Sequence, residues 1–166
     1  MIIRDETPSD IAAIDSVTIA AFADHPFSQQ TEQFIVKALR AAGALTVSLV
    51  AEIDGQVKGH IAFSPVTIAQ KACGWYGMGP LSVLPARQRQ GIGKALVLAG
   101  LKRLRALGAQ GCALVGPPEY YQRFGFKNIP ELVHEGVPQE VFLVLPLDES
   151  QAQGLVEFHE GFWAKA

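Results

Sequence analysis

Between Gly79 and Leu107 the chain changes character twice, from a short apolar run to a turn of glycines and cations to a long helical pattern. Leu81-Ser82-Val83-Leu84 reads as a strand stopped at Pro85, which has no N–H to give to a ladder. Gly91 and Gly93 then stand among Arg87, Arg89 and Lys94. Beyond them Ala95, Leu96, Val97, Ala99, Gly100, Leu101, Leu104 and Leu107 gather on one face at the helical period. Lys94, Lys102 and Arg105 fall opposite, with Arg103 at the apolar edge. With hydrophobic β-runs at both ends of the chain and helices between them, the pattern suggests α/β layers around one mixed sheet.

The turn itself has a chemical use. A helix N-terminus carries unpaired N–H groups and a partial positive charge, which suit a phosphate or pyrophosphate. Glycines let backbone approach a ligand where a Cβ would clash, and the cations add charge at the rim. Two common phosphate loops are excluded. Gly-x-x-x-x-Gly-Lys-Ser/Thr is absent, and Gly91-Ile92-Gly93-Lys94-Ala95 is followed by Leu96 where a dinucleotide fold needs Gly or Ala.

Gln88-Arg89-Gln90-Gly91-Ile92-Gly93 resembles the Gln/Arg-x-x-Gly-x-Gly/Ala signature of the GNAT superfamily of acyl-CoA N-acyltransferases. It follows a Leu-x-Val-x-Pro strand, as that signature does. Downstream, Tyr120-Tyr121-Gln122-Arg123-Phe124-Gly125-Phe126 resembles the aromatic-Tyr-x-x-x-Gly-Phe segment that closes the family's cofactor site. The resemblance spans roughly Met1 to Leu147 and points to the small, mostly bacterial branch of predicted N-acetyltransferases.

It implies an α/β (α+β) fold with a mixed, mainly antiparallel sheet, central strands that splay apart, and helices on both faces. It also implies acetyl-CoA as co-substrate, with backbone at Leu81, Ser82 and Val83 on the pantetheine arm and thioester carbonyl. Gln88, Arg89, Gln90, Gly91, Ile92, Gly93 and Lys94 would hold the pyrophosphate. Tyr121 stands at the family's conserved tyrosine and is the candidate general acid, with Tyr120 next in line if the register differs by one. A homodimer is expected by analogy with the family.

The remaining chain fits one domain over residues 1–166, with 148–166 an aromatic tail packed on it through Phe158, Phe162 and Trp163. A net charge of −2 argues against a nucleic-acid partner, whose phosphates demand a basic surface. No apolar run approaches a membrane span, and Arg4, Asp5 and Glu6 interrupt any secretory leader. Cys73 and Cys112 suit neither metal ligation nor a disulfide framework, so no metal is expected and a cytoplasmic setting is.

In chain order, Ile2-Ile3-Arg4 reads as a strand and Pro8–Ala23 as a helix, capped by Thr7. Asp24-His25-Pro26-Phe27-Ser28 breaks it, and a second helix runs near Gln30–Ala42. In GNAT proteins this break lines the acceptor pocket, which draws attention to His25 and Phe27. Thr46–Ile53 and Gln56–Ile68 form a hairpin about Asp54-Gly55, pairing Ile53 with Gln56, Glu52 with Val57 and Leu49 with His60. Gln70–Gly79 reads as a turn. Gly108 ends the long helix, Cys112–Val115 is a buried strand, Glu119–Phe124 a short helix, and Val141–Leu147 a terminal strand.

Acyl transfer to an amine needs the thioester held, the oxyanion stabilised and the thiolate protonated. Tyr121 serves the last of these. The general base is open among Glu52, His60, Glu119 and water. Two other classes share the motifs: an acyl-CoA-binding or sensing module without catalysis, and an acyltransferase using a different acyl-CoA.

Overall fold

The computed structural model describes residues 1–166. In chain order come β1 (Ile2–Asp5), α1 (Ile11–Phe22), α2 (Glu32–Ala41), β2 (Val47–Ile53), β3 (Gln56–Ile68) and β4 (Lys71–Val83). Then follow α3 (Ile92–Ala106), β5 (Gly111–Val115), α4 (Pro118–Tyr121), β6 (Leu132–Val133), β7 (Phe142–Pro146) and β8 (Gly154–Glu157). The sheet order is β1-β2-β3-β4-β5-β7, with β8 added to the end of β3 and β6 to β8. All pairings are antiparallel except β4–β5 and β6–β8.

The β2–β3 hairpin turns where its sequence demands. Asp54 and Gly55 both take left-handed φ, 52° and 77°, as a two-residue turn requires. Ile53 pairs with Gln56 and Glu52 with Val57, as alternation predicts. A bulge after Ala51 then shifts the register, so Val50 faces His60 and Leu49 faces Ile61. The expected Leu49–His60 pair is therefore wrong, because one extra residue moves every later side chain to the other face. His60 consequently shares a face with Val50 and Ser48.

The expected turn at Gln70–Gly79 is also corrected. The turn is Ala69-Gln70, both left-handed at φ 52° and 65°, and β4 begins at once with Lys71. Gly77 serves packing there: a Cβ on it would lie 2.6 Å from Phe158 Cδ1.

Both faces of the sheet are covered. Val47, Leu49, Ala51, Ile61 and Phe63 meet Ile92, Leu96, Val97, Leu101 and Leu104 of α3 in the largest core cluster. On the other face Val50 packs with Ile14 of α1 and Val36 of α2. At Gly100 α3 touches the sheet so closely that a Cβ would fall 2.2 Å from Phe63. The helix stops as its sequence predicts, with Gly108 at φ 76° and Ala109 N–H bonded to Leu104 O at 3.0 Å. Leu107, expected on the apolar face, is instead exposed because the helix has already ended at Ala106. Arg103 does sit at the edge, forked on Asp5 of β1 at 2.8 and 2.9 Å.

The tail carries a strand that alternation in the sequence did not reveal. β8 pairs Thr67 with Glu157 and Ile68 with Val156, while Phe158 and Phe162 fold inward and Trp163 stays exposed. The apolar face of α3 is spent on the chain's own sheet.

Candidate active site

The parallel β4–β5 ladder is only three residues long: Trp75↔Gly111, Tyr76↔Cys112 and Gly77↔Ala113. Past Gly77 the strands part. β4 bulges there, with Gly79 and Pro80 set against the single Ala62 of β3. Leu81, Ser82 and Val83 still pair with β3 on one side, but their opposite edge has no strand beside it. A bare backbone edge offers N–H and C=O groups to an extended ligand, as an added strand would use them.

The gap opens into a cleft of about 1260 Å³, larger than the ~300–1,000 Å³ of ordinary small-ligand sites. At one end stands the N-terminus of α3. Gly91 is its N-cap at φ 85° and provides no side-chain cap, so the first-turn amides are free for a ligand. Nothing lies within 4 Å of where a Gly91 Cβ would be. Arg87, Arg89 and Lys94 line the same end, and Arg123 joins them with its guanidinium 4.6 Å from the Tyr120 ring centroid. Gln88 also lines it, while its amide donates to Val83 O at 3.2 Å and fixes the turn to the end of β4. Arg89 is held in the left-handed region at φ 64°. Free amides, open space beside glycine and four cations fit a pyrophosphate.

The site residues read from sequence divide by geometry. Leu81, Val83, Gln88, Arg89, Gly91, Ile92, Gly93, Lys94 and Tyr121 line the cleft. Ser82 does not: alternation turns its side chain to the far face opposite His60, where the hydroxyl is buried without a partner. Only its backbone can serve a ligand. Gln90 points back, its amide 3.5 Å from Ala86 O.

Tyr121 and Tyr120 meet edge to face, with centroids 4.9 Å apart at 89°. Tyr121 packs inward on Phe126 at 6.1 Å and on Gly116, yet its hydroxyl is not sealed from the cleft. Burial pushes its pKa up to about 12, with Tyr120 adding to the shift, so the phenol is protonated at neutral pH. Tyr120 leans the other way: its hydroxyl lies 3.2 Å from where a Cβ on Gly93 would be.

None of the expected bases reaches the cleft. Glu52 accepts from Arg4 at 3.1 Å, and that arginine is also bonded to Asp10 at 2.7 Å. His60 is fully buried beneath the sheet, with Nε2 2.8 Å from Ser48 Oγ. Burial drives its pKa down to about 4 despite the Glu6 carboxylate nearby. Glu119 is exposed and forms no part of the lining. The other wall of the cleft comes instead from the segment between α1 and α2, with Phe22, His25, Phe27 and Glu32. Glu32 escaped the sequence reading because an acid at a helix start is ordinarily a capping device. No group of three or more His, Cys, Asp or Glu is placed to hold a metal ion, and no helix is long and apolar enough to cross a membrane.

Comparison with known proteins agrees with this architecture. Residues 45–128 match the family model described as an acetyltransferase (GNAT) domain. The N-acetyltransferase YhbS of Escherichia coli strain K12 is 36% identical, with 98% of each chain covered. Among solved structures, a GNAT family acetyltransferase from Brucella melitensis in complex with acetyl-CoA is 52% identical over 97% of each chain, with a TM-score of 0.87. YhbS in complex with CoA is 35% identical, covers 99% of this chain and 93% of its own, and has a TM-score of 0.90. A splayed sheet, a free helix N-terminus and these relatives agree: the chain belongs to the GNAT acetyltransferase family.

Proposed function

We propose that the chain binds acetyl-CoA along the bare edge of β4 and transfers the acetyl group directly to an amine, with Tyr121 as general acid. The observation that carries this reading is the continuity of one cleft from the α3 amides past Leu81 and Val83 to Tyr121. The acetyl-CoA held by the Brucella relative supports the choice of donor.

The thioester supplies an acyl carbon open to attack by an amine nitrogen. Gln88 to Lys94 hold the pyrophosphate by backbone amides and cations. The backbone edge of Leu81, Ser82 and Val83 aligns the pantetheine arm and donates N–H to the carbonyl oxygen as charge develops there. Tyr121 gives its proton to the departing sulfur as the C–S bond breaks, and is reprotonated from solvent. A phenol raised to about 12 by burial would donate to a thiolate at its aqueous value near 8.5 only uphill, by roughly 5 kcal/mol. Desolvation raises thiols as well, as it does for the buried Cys112, and so narrows that gap. Water in the open cleft takes the amine's proton, since none of the expected side-chain bases is within reach.

Residues 1–166 act as one domain in this reading, because β8 of the tail is bonded into β3. The free thiols Cys73 and Cys112 suit a reducing, cytoplasmic setting. An amine panel with acetyl-CoA, read by thiol release and by mass of the acetylated product, tests the reaction. Acetyl-CoA binding and amine-dependent release are expected. Binding without release to any amine would leave a sensing module instead.

A further inference from the structure

The two walls of the cleft carry opposite chemistry. All four cations come from the turn before α3 (Arg87 and Arg89), the first turn of α3 (Lys94) and Arg123, which lies over Tyr120 and so beside Gly93. The α1–α2 wall contributes no lysine or arginine. It contributes Glu32, the single carboxylate in the whole lining. Glu32 Oε1 accepts from Ser28 Oγ at 2.6 Å, and no cationic side chain pairs with it.

Beside this acid three rings step outward. Phe22 and His25 lie 5.6 Å apart, and His25 and Phe27 6.3 Å apart. Phe27 is 91% exposed, a large apolar ring at a cleft mouth with nothing of its own chain to cover it. His25 Nδ1 accepts from Phe27 N–H at 3.3 Å, which leaves the neutral ring's proton on Nε2. His25 is thus a donor here rather than a base. Val137, Pro138 and Val141 complete an apolar lining.

We propose that the acceptor is a small monocationic amine carried on an aromatic or apolar body, its ammonium paired with Glu32 and its body laid against Phe22 and Phe27. The proposal rests on the acetyl-transfer reading above. A polyamine would offer several charges to one carboxylate and turn the remainder towards four cations. A free amino acid would bring a carboxylate against Glu32 with no lysine or arginine on that wall to receive it. An aromatic amine meets neither penalty, and its body would cover the Phe27 ring that the chain leaves bare.

The test uses the full chain and 2-phenylethylamine, with spermidine, phenylalanine and a short peptide as competitors. Calorimetry on the CoA-loaded protein should show 2-phenylethylamine binding, and kcat/KM with acetyl-CoA should favour it. Glu32→Gln should raise its KM ~10-fold or more while kcat changes less and acetyl-CoA affinity holds. Phe27→Ala, at a position too exposed to endanger folding, should raise KM in the same direction. Preference for spermidine, phenylalanine or the peptide would overturn the acceptor class while leaving acetyl transfer intact. Unchanged KM in a folded Glu32→Gln would overturn the anchor. Transfer to no amine would defeat the reaction itself, and the calorimetric arm would still decide the pocket: no binding of 2-phenylethylamine overturns it.

Discussion

The ring of Tyr121 occupies the space that a side chain on Gly116 would need: a Cβ there would stand 2.6 Å from Cε2 and 3.1 Å from Cδ2. Gly116 ends β5 on the side where the strands have parted, so the absent side chain lets the phenol sit at the cleft. Gly116→Ala should push the ring aside without removing it. We expect kcat to fall ~10–10²-fold, as for a misplaced catalytic group, with acetyl-CoA affinity within a few-fold. Steady-state kinetics beside calorimetry checks this, and an unaltered kcat in the folded variant would mean the ring's position does not matter.

At the other end of the cleft, Gly91→Asp tests the pyrophosphate site. The left-handed φ of 85° is one that Asp tolerates better than most residues, and there is open space for the side chain. The main effect is therefore a negative charge set against the phosphates. Acetyl-CoA affinity should fall ~10-fold or more, corresponding to ~1.4 kcal/mol or more, and the wild-type affinity should itself weaken with salt. Equal affinity in the two proteins would remove this turn from binding.

His60 gives the fold an acid limit. Its Nε2–H donates to Ser48 Oγ, whose hydroxyl donates in turn to Glu6, while Nδ1 has no partner. Burial lowers its pKa to about 4 from the usual 6.5, Arg40 adds to the depression, and Glu6 opposes it. Below pH 6.5 the unfolded chain takes up a proton that the folded chain refuses until near 4. Stability is therefore complete above that window and falls within it as pH drops, by on the order of 3 kcal/mol. Urea midpoints between pH 7.5 and 4.5 should show the slope in the wild type and lose it in His60→Gln. The same slope in both would assign it to other groups.

Much of this was readable in the sequence, and the failures have physical causes. Asp54-Gly55 fixed the hairpin turn, yet the bulge at Ala51 depends on how two strands fit and left no mark in alternation. Ala69-Gln70 makes a turn with neither glycine nor proline, while Gly74, Gly77 and Gly79 imitate one inside β4. The phosphate turn was legible because glycines and cations sit close in the chain. The acceptor wall was not, because Phe22, Glu32 and Val141 are brought together only by the fold. Glu52 and His60 read as bases in the sequence because the partners that hold them, Arg4 and Ser48, are distant in the chain.

Tyr121→Phe tests the proposed chemistry most directly. The substitution keeps the ring on Gly116 and Phe126 and removes only the hydroxyl. With acetyl-CoA and amine both saturating, kcat should fall ~10²–10⁴-fold while acetyl-CoA affinity stays within a few-fold. Tyr120→Phe, whose hydroxyl leans on Gly93 instead, should keep most of its kcat. A near-normal kcat in Tyr121→Phe would contradict proton donation by this residue.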